Sequence, residues 1–324
     1  MVELVKAKRK PPVLTPSSIP CLRNVATINV TRGCALGCTY CYIQGYSGYP
    51  GAGRIVLYEN IPELVQRELT RRRHRLNRVY FSPSSDAFQN VPEVQAVTMD
   101  TLSVLLEAGV EVALLTKGFV TEHFLALFAR APHRIFVQIG ITSLDRRVWR
   151  TLEPHAASPG RRIEALTSLR RLGVATTARL DPLIPDVTDT DEALAPLLER
   201  LSHAGVAKAA VSYIFLRPPF GAKLAEQIRS LGGVPDASAR WAYQQLADGC
   251  GGGRMIEWRE RARRFERMIR LAKRFGIELE PCRCKNPQWN GPGCQIAGPA
   301  VSPQIDSSTQ RDSCSAPEGW LFAP

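Results

Sequence analysis

Six short stretches of the chain are almost continuously apolar: VATINVT (25–31), RVYFSP (78–83), EVALLTK (111–117), RIFVQIGIT (134–142), TTARLDPLI (176–184) and KAAVSYIFL (208–216). Most are rich in β-branched residues and lack the in–out alternation of a half-exposed strand, which is the pattern of strands covered on both faces. Between them the apolar positions recur at helical spacing. PELVQRELTRRRHRL, PEVQAVTMDTLSVLLEAG, TEHFLALFARA, SPGRRIEALTSLRRLG and DTDEALAPLLERLSHAG fill the gaps in turn. Start and stop signals agree: Thr121 and Ser158 stand where N-caps belong, Pro159 opens a first turn, and Gly173 and Gly205 close their helices. Such alternation predicts parallel strands joined by right-handed crossovers. Six units are too few to close an eight-unit barrel, so a partial barrel or an open sheet fits. In either, function gathers at the C-terminal ends of the strands.

Beyond about residue 220 the texture changes. RSLGGVPDASARW and DGCGGGR read as loops, a charged helix spans 256–276, and the last fifty residues lack regular pattern. The expected organisation is a flexible basic arm (1–21), a barrel (22–230) and a loop-rich C-terminal extension (231–324). The start of the chain is basic but has no apolar h-region, which predicts no secretory signal. No apolar run is long enough for a membrane span. Formal charge is +12 with a pI near 9.5, which favours an acidic partner, nucleic acid first; arginine-rich proteins that are basic for no binding reason are the plain alternative. RRRHR (71–75) ends the first helix, where basic residues also complement the helix dipole, and the charges of 258–274 are partly paired along their own helix.

The nine cysteines fall into two groups: Cys21, Cys34, Cys38 and Cys41 near the start, and Cys250, Cys282, Cys284, Cys294 and Cys314 near the end. With no export signal, a reducing cytoplasm is expected and a disulfide framework is not. Grouping of this kind suggests two metal sites. The first has C-x3-C-x2-C spacing in one loop after the first strand, with Gly33 and Gly37 letting the backbone wrap closely. Thiolates are the usual ligands of iron–sulfur clusters, and three of them leave one iron open to a small molecule, as an open zinc position binds substrate. A zinc site here would need a distant fourth ligand.

With Tyr40 before its last cysteine, this loop resembles the signature of the radical S-adenosylmethionine (SAM) superfamily. The resemblance implies a partial (β/α)6 TIM-like barrel and a [4Fe–4S] cluster on Cys34, Cys38 and Cys41, with SAM chelating the fourth iron. It also implies reductive cleavage of SAM to a 5′-deoxyadenosyl radical that abstracts hydrogen from a substrate. NVTRGCALGCTYCY, SPSSDAFQNVPE, LLTKG, LEPHAASPGRRIEALTSLRRLGV and RLDPLIPDVTD further resemble the spore photoproduct lyase-like branch, over roughly 22–190. Within it, Lys117 is a candidate partner for the SAM carboxylate, and Glu153 an acceptor for its amino group or ribose. Ser84 and Asp86 are candidates for its other polar groups. Arg179 and Asp181, on one side of their strand, either contact SAM or pair with each other. Tyr40 and Tyr42 flank Cys41 as candidates to stack near adenine or carry a hydrogen atom. One departure stands out. The branch's namesake takes hydrogen from a cysteine in the middle of its barrel, and this chain has none from 42 to 249. Repair of that thymine lesion is therefore not expected unless Cys21 or a C-terminal thiol folds back into the site.

Cys282, Cys284 and Cys294 form a C-x-C-x9-C array for which Cys21, Cys250 or Cys314 is available as fourth ligand. A second, auxiliary iron–sulfur cluster is the expectation; structural zinc and free thiols are the alternatives. The sequence thus reads as a radical SAM enzyme acting on nucleic acid, fed by an electron donor such as flavodoxin or ferredoxin. A peptide or small-metabolite modifier and a non-catalytic zinc-bearing nucleic-acid binder are the competing readings.

Overall fold

The computed structural model describes residues 2–17, 20–22, 24–217, 221–233, 241–245 and 252–298. The chain opens with β1 (Glu3–Ala7) and β2 (Thr15–Pro16), passes a 3-10 turn at Pro20–Leu22, and enters the main sheet at β3 (Ala26–Ile28). β4 (Thr31–Arg32) and β5 (Arg54–Tyr58) bracket the three-cysteine loop. Then follow α1 (Ile61–Arg71), β6 (Arg78–Phe81), α2 (Pro92–Glu107), β7 (Glu111–Thr116), α3 (Glu122–Ala129) and β8 (Ile135–Gly140). α4 (Arg146–Leu152), α5 (Pro159–Arg171), β9 (Ala175–Leu183), α6 (Asp191–His203) and β10 (Lys208–Tyr213) continue the alternation. α7 (Gly221–Ser230), an antiparallel pair β11 (Trp241–Gln245) and β12 (Gly252–Ile256), α8 (Trp258–Lys273) and β13 (Glu278–Pro281) complete it.

The main sheet runs β13-β10-β9-β8-β7-β6-β3-β2, parallel except for the edge strand β2. It is the partial barrel expected from the alternation. The first apolar stretch is split, because the chain leaves the barrel after Ile28 and β4 joins a separate sheet, β1-β5-β4. Ser158 caps α5 through a bond from the Arg161 N–H (3.3 Å), whereas Thr121 precedes α3 as expected but its hydroxyl makes no cap bond.

Two expectations are corrected. The first residues are not a loose arm: β1 pairs with β5 from Glu3↔Arg54 to Ala7↔Tyr58, and Asn60 clasps the Arg9 backbone by both its N–H (2.8 Å) and its C=O (2.9 Å). The stretch beyond 230 is not separate from the barrel. β13 pairs with β10 from Lys208↔Glu278 to Val211↔Pro281 and adds a seventh parallel strand.

One face of the sheet packs on the helices. Val79, Phe81, Val112, Leu114, Val137 and Ile139 belong to this large core. The alternate residues face inward. Tyr80, Ala113 and Phe136 lie side by side in register and, with Leu22, form a small apolar floor. Ile296 and Ala297 pack on it, and Arg78 Nη1, at the start of β6, donates to the Ala297 carbonyl (2.8 Å). Further along the strands this face turns polar, with buried Gln138, Arg179 and Glu280.

Candidate active site

The loop carrying Cys34, Cys38 and Cys41 begins where β4 ends, at the C-terminal side of the barrel. Gly33 has φ +83°, and a Cβ there would stand 2.6 Å from the Arg54 carbonyl oxygen. No other residue fits a positive φ against fixed backbone. Gly33→Ala is expected to cost about 1–3 kcal/mol and to lower cluster content on reconstitution, read by denaturant unfolding and iron assay. Fully buried Gln89 clips the loop in place: its Oε1 accepts from the Ala35 N–H (2.6 Å), and its Nε2 donates to Thr31 Oγ1 (2.9 Å) and the Asp86 carbonyl (3.0 Å). The Thr39 N–H donates to the Leu152 carbonyl (2.9 Å), tying the loop to the end of α4.

Burial pushes all three thiols up, Cys38 to about 12, while the Lys117 charge pulls Cys38 and Cys41 back. The bare thiols therefore hold their protons at neutral pH, and metal uptake must displace them. Among the described residues no three His, Cys, Asp or Glu side chains are placed to hold a single metal ion.

Tyr40 points its hydroxyl at Glu153 Oε1, which also accepts from Thr142 Oγ1 (2.7 Å). Glu153 Oε2 pairs with Arg162 Nη2 at 2.5 Å, with both side chains almost wholly buried. Arg162 is fixed in turn by the Ala157 (2.7 Å) and Gly140 (2.8 Å) carbonyls. Burial pushes the Glu153 carboxyl up, but the Arg162 and Lys117 charges and the Tyr40 hydrogen bond outweigh it and hold it below the ordinary carboxylate value. Glu153 thus anchors Tyr40 and has both oxygens engaged by protein. The Lys117 ammonium lies 5.5 Å from the Tyr40 ring centroid, in room left by the absent side chain of Gly140. Tyr42 donates to the Pro83 carbonyl and meets Tyr46 edge-on.

Asp86 is likewise occupied. Its oxygens accept from the Phe88 N–H (2.9 Å), Thr116 Oγ1 (2.8 Å) and the Lys117 N–H (2.8 Å), which joins the loops after β6 and β7. Burial still holds its carboxyl above the usual value. Beside it, the buried hydroxyls of Ser82, Ser84 and Ser85 have no hydrogen-bond partner among the described residues, and Ser82 sits at φ +57°. Unpaired buried hydroxyls and a left-handed serine are costly, and such outliers concentrate where a ligand completes the site. The amino, carboxylate and ribose groups of SAM are partners these hydroxyls lack, so the residues present fit that cofactor. Ser82 and Ser85 were not singled out in the sequence, although the run of small hydroxyls after an apolar strand is a signal for them.

Arg179 and Asp181 pair with each other, Asp181 Oδ2 lying 2.9 Å from Arg179 Nη2. Lys285 caps the same carboxylate (2.9 Å), a partner the sequence did not reveal. The group faces the second set of cysteines: Arg179 interacts with Cys294 and Cys282. The structure therefore turns both residues toward the second thiol group. There Cys21 lies 3.9 Å from Cys284, Cys284 lies 3.0 Å from Cys282, and Cys282 also contacts Cys294. Cys250 and Cys314 lie outside the described residues.

A mutant spore photoproduct lyase with bound AdoMet and dinucleoside spore photoproduct superposes with a TM-score of 0.66 at 18% identity, over 85% of this chain and 81% of that one. The fold is shared. The uncharacterized protein Rv2578c of Mycobacterium tuberculosis is 26% identical over 200 residues, 59% of this chain and 59% of that protein's own length. The radical SAM Nα-GlyT isomerase of Pseudomonas phage M6 is 28% identical over 182 residues, 56% of this chain and 37% of that one. The radical SAM superfamily model itself matches residues 28–198, from the last residue of β3 into α6, and so takes in the three-cysteine loop, the serine run, Lys117, Glu153 and Arg179. By that match and by its partial barrel, the chain belongs to the radical SAM superfamily.

Proposed function

We propose that this chain is a radical SAM enzyme that modifies or repairs nucleic acid. The observation that carries the reading is the three-thiol loop set beside orphaned serine hydroxyls at the end of β6. A [4Fe–4S] cluster on Cys34, Cys38 and Cys41 would supply the electron that cleaves SAM and so starts hydrogen abstraction. The chain's own residues position and shield. Lys117 offers a fixed positive charge beside Cys38 and Cys41 for the SAM carboxylate. Glu153 and Arg162 hold Tyr40, and Tyr40 holds the loop. Ser82, Ser84 and Ser85 supply hydroxyls to the cofactor's polar groups.

Nucleic acid is favoured by the net charge of +12 and by the exposed run Arg71–Arg75. The spore photoproduct lyase of the same fold that holds a dinucleoside supports the same reading. A second iron–sulfur cluster at the C-terminal cysteines, a flavodoxin- or ferredoxin-type electron donor and a cytoplasmic setting belong to the same proposal. No helix among the described residues is long and apolar enough to cross a membrane. The test is deoxyadenosine release by the oxygen-free, iron- and sulfide-loaded protein under reductant, with and without DNA, tRNA or a peptide pool. Acceleration by DNA or tRNA, falling as salt rises, is expected. Acceleration by peptides or by neither polymer overturns the substrate, and two zincs with no iron overturns the enzyme.

A further inference from the structure

Four thiols meet on the inner face of the barrel, drawn from three distant stretches of chain. Cys21 comes from the 3-10 turn before β3, Cys282 and Cys284 follow β13, and Cys294 lies on the loop that returns to the apolar floor. Each stretch is tied down independently. The Cys282 N–H donates to the Val211 carbonyl (2.9 Å), which extends the β10–β13 pairing. Asn286, fully buried, donates from Nδ2 to the Cys282 carbonyl (2.8 Å) and closes the turn that carries Cys284. Two residues beyond Cys294, Ile296 packs on the floor beside Leu22, the neighbour of Cys21. A long-range meeting of four thiols fixed this way is not the by-product of a local turn.

The surroundings are cationic. Arg179 is buried against Cys294, and Lys285 acts on Cys282; Asp181 is the carboxylate these two cations share. One negative charge against two positive leaves an excess facing the sulfurs, as an anionic thiolate assembly requires. A hydrogen-donating thiol would need one cysteine rather than four. A disulfide is disfavoured in a reducing compartment. Zinc is disfavoured by the C-x-C spacing, shorter than the usual C-x2–4-C.

We propose that Cys21, Cys282, Cys284 and Cys294 are the four ligands of a second metal centre, an iron–sulfur cluster held by protein thiolates alone. This deepens the reading of a second cluster given above, and its ligand set is its own. Unlike the first site it is closed, with no iron corner left for substrate or SAM. Arg179 and Lys285 compensate its charge.

The experiment uses the full chain with Cys34, Cys38 and Cys41 all replaced by alanine, purified and reconstituted without oxygen. About four iron and four sulfide per chain are expected to remain, with a reduced electron paramagnetic resonance signal that added SAM does not change. Adding Cys21→Ala is expected to remove at least half of that iron while circular dichroism stays unchanged; Cys21→Ser serves where the alanine variant fails to fold. No iron in the triple variant, or zinc in its place, overturns the cluster. Iron unaffected by either Cys21 substitution overturns the ligand assignment. Because the triple variant lacks the first cluster's ligands, these outcomes are independent of whether the intact protein cleaves SAM.

Discussion

Cys38→Ala is expected to abolish deoxyadenosine release and to leave the fold intact. Cys38 is the middle thiol of the loop: its carbonyl accepts from the Cys41 N–H (3.1 Å) and from Gln44 Nε2 (3.1 Å), and neither bond involves the side chain. What disappears is one of three thiolates. Cys34 and Cys41 alone would not hold the proposed [4Fe–4S] cluster, which would supply the electron for SAM cleavage. Because Gln89 and the Leu152 carbonyl hold the loop, circular dichroism and thermal unfolding of the metal-free protein are expected to match the parent. Activity in the anaerobic assay should fall to the level without protein, with iron per chain dropping by about four. Measurable turnover by this variant would mean that the loop is not the site of SAM cleavage.

Glu153→Ala is expected to destabilise the chain by about 3–5 kcal/mol, the cost of leaving a buried charge without its partner. Here that charge is Arg162, paired at 2.5 Å and almost wholly buried. The same change frees the Tyr40 and Thr142 hydroxyls, so cluster retention should fall with stability. Arg162→Met alone should cost a similar amount by stranding the carboxylate. The double variant should cost less than the two singles together, because it leaves neither charge unpaired. Acid separates the pair from mere packing. The folded carboxyl is held below its ordinary value, so its contribution is complete above about pH 4.3, the unfolded value, and is lost as pH falls through the folded one. Denaturant unfolding from pH 7 downward should therefore show the parent losing stability in acid while Glu153→Gln, which has no such proton to gain, stays flatter. Equal slopes would remove the charge from the explanation.

Local features were legible and long-range ones were not. The barrel strands announced themselves because burial on both faces demands unbroken apolar runs, and β6 to β10 fall within a residue or a few of where those runs place them. The cysteine loop was legible because its ligands sit within one turn-forming segment. β1 and β5 were missed because each is short and gains meaning only from the other, about fifty residues away. β13 was hidden in a stretch whose composition reads as loop. The same holds in the site. Spacing put Arg179 and Asp181 on one side of a strand, but only the fold shows that Lys285 and Cys294 stand opposite them. Glu153 attracted notice as a polar residue before a proline; nothing in its neighbourhood announced Arg162. Cys21 was one of three candidates to join the second array, and only the returning 3-10 turn brings it within 3.9 Å of Cys284.

The apolar floor of Leu22, Tyr80, Ala113 and Phe136, with Ile296 and Ala297 packed on it, fills the inner face of the sheet near the strand starts, away from the cysteine loop. If the proposed substrate is a strand, a unit of it would have to reach past the cysteine loop toward this floor, so reach, more than affinity along the strand, would decide which positions are touched.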